Sequence, residues 1–173
     1  MSDRAGTRGN LMTDGAGHDD PLAALGRVPS GLFIITARHG PRETGMLASW
    51  VQQCSFDPPR VSAAFGKDRW VLDWLTPGAA FAVNVLAEGQ KPLLAHFGKG
   101  FGLGEPAFEG LEVKREANAA PVLLTAHAFL HCRVADRFDV GDHVLVVGEV
   151  VGGGVLHHDA RPATHIRRTG KHY

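Results

Sequence analysis

The chain has 173 residues, 44% of them hydrophobic and 21% charged, with 18 Lys plus Arg against 18 Asp plus Glu. A chain this long buries about two thirds of its unfolded surface without a disulfide or metal staple. No apolar run reaches the ~20 residues of a membrane span, and the zero formal charge supplies no global field toward nucleic acid or an anionic membrane.

The first residues, "MSDRAGTRGNLMTDGAGHDD", mix Gly, Asp and Arg and have no apolar h-region. Residues 1–20 are therefore expected to be a flexible tail, neither a signal peptide nor a core element, with one domain over 21–173. Asp20 is placed to cap a short helix whose first residue is Pro21. "GLFIITAR" (31–38) reads as a strand, "HGPRET" as a wide turn, and "GMLASWVQQCSF" (45–56) as the returning strand of a hairpin. "DPP" interrupts the pattern because neither Pro58 nor Pro59 can donate to a ladder, and "RVSAAF" (60–65) resumes it. In "DRWVLDWL" (68–75), Val71, Leu72, Trp74 and Leu75 share a helical side. "AAFAVNVL" (79–86) is a short strand, "GQKPLLAHFG" (89–98) a short helix closed by glycine, and "KGFGLGEPAFEGLE" a loop. Residues 120–156 form two long strands joined by the polar turn "DRFDVGD". Five or six strands, two or three short helices and no strand-helix alternation argue against a doubly wound parallel sheet. They predict a mainly β protein, an antiparallel barrel with helices outside, since closure removes exposed apolar edges.

Several chemistries are missing. "GKGFGLG" follows a helical segment and precedes no helix, so it is no dinucleotide fingerprint, and no HExxH, CxxC or G-x-S-x-G occurs. His127 and His131 would share one face of a strand, but neither has a carboxylate or thiolate at a recognised ligand spacing, so no metal is expected. Cys54 and Cys132 lie far apart in apolar contexts, which fits reduced thiols and a cytoplasmic setting.

The small residues Gly45, Ala48 and Ser49 admit two readings. They let a planar ligand approach the strand, with the Ser49 hydroxyl, exposed amides, Lys67 and Lys99 meeting a phosphate, or they are a tight packing spot flanked by surface lysines. "GDHVLVVGEV" (141–150) likewise places Asp142 and His143 either as plain hairpin caps or as an imidazole oriented toward a pocket, with Gly141 permitting the tight turn.

Taken in order, "GRVPSGLFIITARHGPRETGMLASWVQQCSFDPPRVSAAF", "FAVNVLAEGQKPLLAHFGKGF", "FEGL", "APVLLTAHAFLHCRV" and "GDHVLVVGEV" resemble the flavin reductase-like family, over about residue 22 to the end. The likeness is greatest to its flavoredoxin-like branch and to the flavin reductase module of some flavodiiron proteins. It implies a six-stranded antiparallel split β-barrel of Greek-key type with a few short flanking helices. It also implies an FMN cofactor, with FAD as the variant, NADH or NADPH as co-substrate, and a homodimer. Met46, Leu47, Ala48 and Ser49 would line the flavin, with Gln53 and Cys54 next along the wall. Lys67, Asn84, Lys99 and Phe101 match positions near the cofactor. His143, oriented by Asp142, would face the nicotinamide in a positioning role, because hydride passes directly between the two cofactors. Trp50 and Gln52 depart from the hydroxyl-rich run of many relatives. Two activities are implied: an NAD(P)H-dependent reductase delivering electrons to free flavin or a protein acceptor, or a non-enzymatic FMN electron-transfer protein fed by a carrier.

Overall fold

The computed structural model describes residues 20–171, which fall into two compact units, 20–28 with 167–171 and 29–166. In the small unit, α1 (Pro21–Gly26) begins as its sequence dictates. Pro21 opens it, and the Asp20 carboxylate accepts from the Leu22 and Ala23 amides at 2.9 and 3.2 Å, satisfying two donors that a helix N-terminus otherwise leaves unpaired. The tail expected over residues 1–20 lies, apart from Asp20, outside the described residues.

The large unit contains β1 (Ser30–Gly31), β2 (Phe33–His39), β3 (Arg42–Ala48), β4 (Val51–Phe56), β5 (Pro59–Gly66), a 3-10 helix (Trp70–Asp73), β6 (Ala80–Val85), α2 (Lys91–Gly98), β7 (Val113–Lys114), β8 (Val122–Leu123), β9 (Ala128–Val140), β10 (His143–Val155) and β11 (Thr164–His165). Seven strands make one antiparallel sheet in the order β3-β2-β6-β9-β10-β5-β4, while β1 pairs with β11 and β7 with β8. The protein is mainly β. The sheet has seven strands where six were expected, and no ladder joins β3 to β4, so hydrogen bonding does not close it into a barrel.

The run 45–56 is the largest departure from the expected elements. It breaks at Ser49-Trp50, so that β3 pairs with β2 at one edge of the sheet and β4 with β5 at the other. The turns are also tighter than the sequence suggested. His39 pairs directly with Arg42, and Val140 with His143, so "HGPRET" and "DRFDVGD" are mostly strand and only Gly40-Pro41 and Gly141-Asp142 turn. Gly40 and Gly141 have φ of 58° and 70°, the positive values a two-residue hairpin requires at its first position and glycine adopts without strain.

Each face of the sheet carries a buried cluster. On one, Ile35, Ala48, Val51, Val61, Phe65, Phe81, Val83, Val134 and Val146 form a single buried cluster with Val71, Leu72, Trp74 and Leu75. Because Ala48 and Val51 come from the two opposite edges, the sheet must curl around this face for them to share one core. On the other face, Ile34 packs under Leu93 and Phe97 of α2 with Phe108 and Leu123. Each fully buried large side chain contributes about 1.5–3 kcal/mol. Of the three tryptophans, Trp74 is core, Trp50 half-buried and Trp70 exposed.

Candidate functional site

The curled sheet has a seam where β3 ends and β4 begins, and three chain segments meet beside it. Strand register explains the meeting: His143 pairs with both Gly66 and Val140, which aligns the end of β5 with the β9–β10 turn. The Trp50 carbonyl accepts from the Ala64 amide at 3.0 Å, and the Lys67 amide donates to the Asp142 carbonyl at 3.1 Å. The two residues that join β3 to β4 are thus fastened against β5 and, through it, against the hairpin tip.

The side chains at this junction are polar and mutually engaged. His143 Nδ1 lies 2.7 Å from Asp142 Oδ1, and the His143 ring stands 4.8 Å from the Trp50 ring at 40°. The bond to His143 and the imidazole's charge, reinforced by Lys67, hold the Asp142 carboxyl below its ordinary range. Lys67 Nζ donates to Asp139 Oδ2 at 3.1 Å. Ser49 differs from all of these: it is buried, and its Oγ has no hydrogen-bond partner among the described residues. A shielded hydroxyl without a partner costs about 1–3 kcal/mol, which makes Ser49 the exception among the buried polar side chains of this junction. The outer edges of β3 and β4 add backbone amides and carbonyls that no ladder pairs.

The expected site residues divide into groups. Lys67, Asp142 and His143 come together with Trp50 beside the seam, Ser49 is the residue before Trp50, and the exposed Gln53 and Cys54 lie on the adjoining edge strand β4; Gln53 Nε2 donates to the Ser55 carbonyl at 3.3 Å. Met46 and Ala48 face the inner core. Leu47 lies on the opposite face, where Phe101 packs against His96 and Phe97 and the exposed Lys99 follows α2. Asn84 is not gathered with the seam. It is fully buried, its Nδ2 donates to the Ile34 carbonyl at 3.0 Å, and its Oδ1 accepts from the Leu123 amide at 2.8 Å, so its amide ties β2, β6 and β8 together.

Gly45 settles one of the open readings locally. A Cβ there would lie 2.7 Å from the Phe97 ring, so the space above Gly45 is taken by α2 and the glycine serves packing. Sequence reasoning passed over Trp50 and Asp139 as members of the site. The Trp50 indole was visible only as a departure from relatives, and Asp139 is identified by strand register, which no local pattern encodes. Cys132 is buried, which pushes its thiol up to about 12, so it is chemically inert. No group of three or more potential metal ligands occurs among the described residues, and none of their helices is long and apolar enough to cross a membrane.

Residues 25–172 match the family model for the flavin reductase like domain. The chain is 44% identical over 151 residues to "Putative diflavin flavoprotein A 3" of Nostoc sp., covering 87% of this chain and 26% of that protein. It is 40% identical over the same shares to "Diflavin flavoprotein A 1" of Synechocystis sp.. It therefore spans about a quarter of the length of these curated relatives. Among solved structures, the NADH:FAD oxidoreductase SgcE6 of Streptomyces globisporus C-1027 superposes with a TM-score of 0.76 at 28% identity, over 86% of this chain and 87% of that one. The same enzyme in complex with NAD and FAD fragments gives 0.75 at 27% identity, over the same shares. With the family model covering nearly the whole chain, this protein belongs to the flavin reductase-like family.

Proposed function

We propose that the chain binds FMN along the β3–β4 seam and acts as an NAD(P)H-dependent flavin reductase, passing electrons onward to free flavin or to a protein acceptor. The observation that carries this reading is the Ser49 hydroxyl, shielded and without a partner among the described residues, one residue before Trp50, whose ring stands 4.8 Å from the Asp142-bonded His143. A bound flavin supplies the hydride-accepting centre, and the protein supplies binding, orientation and exclusion of water.

The roles of the chain's own residues follow from their surroundings. Ser49 donates to an oxygen of the cofactor, and the free edges of β3 and β4 meet its polar end. Lys99 and Lys67 are its phosphate cations. Lys67 can leave Asp139 at little cost, because exposed ion pairs are worth about 0–1 kcal/mol. Asp142 fixes which His143 nitrogen faces inward, and His143 positions the nicotinamide. Phe101 and Leu47 support the wall from the α2 side, and Asn84 holds the strands beneath it. Curling at the seam completes a split barrel, and a second copy covers the β4 edge, where Phe56 is 89% exposed. A cytoplasmic setting suits this redox role. Support comes from the likeness to an NADH:FAD oxidoreductase solved with NAD and FAD fragments.

A second reading has its own observation. The diflavin relatives carry this module within a chain about four times as long, which suits a flavin that exchanges electrons with another protein module without using free pyridine nucleotide. Absorption spectroscopy separates the readings. FMN retained through gel filtration and bleached anaerobically by NADH or NADPH is expected for the reductase. Bleaching only by dithionite or a reduced carrier protein favours the second reading. A protein that neither retains FMN nor oxidises nucleotide in its presence would sink both.

A further inference from the structure

The far half of the β9–β10 hairpin carries a feature that the flavin seam does not use. His131 is paired across the ladders with Ala82 on β6 and Gly152 on β10, so those three positions share a face of the sheet. Ala82 is covered by Ala120 and Val122. Gly152 presents bare backbone: a Cβ there would meet nothing within 4 Å. The imidazole therefore stands over an open groove of about 570 Å³, lined also by Phe129, Arg133, Glu116 and Asn118. From His143 to Gly152 is nine residues of strand, about 30 Å, so this groove is separate from the seam.

The unusual observation is that both ring nitrogens of His131 are shielded and have no hydrogen-bond partner among the described residues. Glu116 Oε2 lies 3.7 Å from Nε2, too far for a hydrogen bond, and its charge is already engaged by Lys114 at 2.6 Å. An imidazole has one donor and one acceptor to satisfy even when neutral, and buried polar groups are seldom left so. The Phe129 ring, 5.2 Å from the imidazole at 73°, supplies an apolar wall. Arg133 stands two residues along β9 on the same face, exposed, and its guanidinium donates to the Gly78 carbonyl at 3.4 Å. Glu116 and Arg133 are the charged residues of the lining, and with Glu116 engaged by Lys114 the Arg133 guanidinium is the cation that the groove offers.

We propose that this groove is a second ligand site, taking a small planar ring that bears an anionic group: the ring rests on the bare Gly152 backbone beside Phe129, His131 bonds to it, and Arg133 meets the anion. An aromatic carboxylate and a nucleoside monophosphate share this chemistry, and the test distinguishes them.

The full chain, with FMN and without, is titrated with salicylate, AMP and inorganic phosphate while the histidine ring NMR signals are followed, His131 being assigned from His131→Gln. Salicylate or AMP is expected to move the His131 signals saturably, with phosphate at least tenfold weaker; whichever of the two binds more tightly names the ligand source. Gly152→Leu is expected to weaken binding at least tenfold without lowering the melting temperature, since its side chain enters empty space and the backbone there is not left-handed. The proposal is overturned if neither ring compound moves His131, if phosphate binds as well as they do, or if Gly152→Leu binds like the parent. Competition by FMN would also overturn it, as would His131 signals that follow protein concentration alone, which would mean a second copy fills the groove.

Discussion

β3 and β4 are halves of one apolar run, yet they meet opposite fates. In β3, Thr44, Gly45 and Ala48 are buried and no residue beyond Arg42 is fully exposed. In β4 only Val51 is buried, and Gln52, Gln53, Cys54 and Phe56 are open. The difference comes from what lies over each edge. α2 and the Phe108 loop cover β3, and Gly45 exists to let Phe97 in. Nothing among the described elements covers β4. The two halves part at Ser49 and Trp50, where Ser49 is buried with a hydroxyl that has no partner among the described residues and Trp50 is half-buried. A seam built this way is packed on one bank and open on the other.

The largest expected effect tests the packed bank. Gly45→Val places a branched side chain where the Phe97 ring already sits, and overpacking of this kind costs about 1–3 kcal/mol. Urea unfolding of the flavin-free protein should show that loss. Stability unchanged from the parent would mean α2 does not clamp β3.

Ser49→Ala sharpens the contrast between packing and binding, because the two roles predict opposite signs. If the hydroxyl awaits the cofactor, its removal should stabilise the flavin-free chain by up to about 1 kcal/mol, by deleting an unmet group. The same change should weaken FMN binding about tenfold, or ~1.4 kcal/mol. Loss of stability with unchanged affinity would make Ser49 a packing residue only.

At the tip facing the open bank, His143→Gln is expected to raise the nicotinamide KM about threefold, or ~0.7 kcal/mol, with a smaller change in kcat, as a positioning role demands. The pair's pH dependence has a definite sign. Asp142 is held below its ordinary value by His143, so whatever the pair contributes is present above about pH 4 and is lost as the pH falls through the lowered folded value. Asp142→Asn should flatten that acid limb in an unfolding series. An acid limb identical to the parent's would mean the contact is not held in solution.

How legible this was depends on the range of the signal. Local chemistry read well: Asp20 capping Pro21, the buried side of 71–75, the proline break and the partnership of Asp142 with His143 all follow from neighbours in sequence. The break at Ser49-Trp50 did not, because Ala48 and Val51 are both apolar and both buried in the same core; only the choice of pairing partner, a long-range property, splits the run. Asn84 was placed near the cofactor by family likeness, and its side chain is bonded to two strands at once, a long-range tie that no local pattern encodes. His131 was weighed by sequence spacing to other ligands, and its unmet nitrogens depend on the small residues paired beside it, which only register reveals.

The smallest effect concerns Cys54, exposed on the open bank. Cys54→Ser should change stability by no more than about 0.5 kcal/mol, as for surface substitutions generally. Its value is as a reporter. A thiol reagent should modify roughly one cysteine per native chain, because burial keeps the Cys132 thiolate from forming at neutral pH. Saturating FMN should slow that modification if β4 forms the second wall of the seam. A labelling rate indifferent to FMN, in protein shown by its spectrum to be loaded, would leave the cofactor on the β3 bank alone and remove Gln53 and Cys54 from the site.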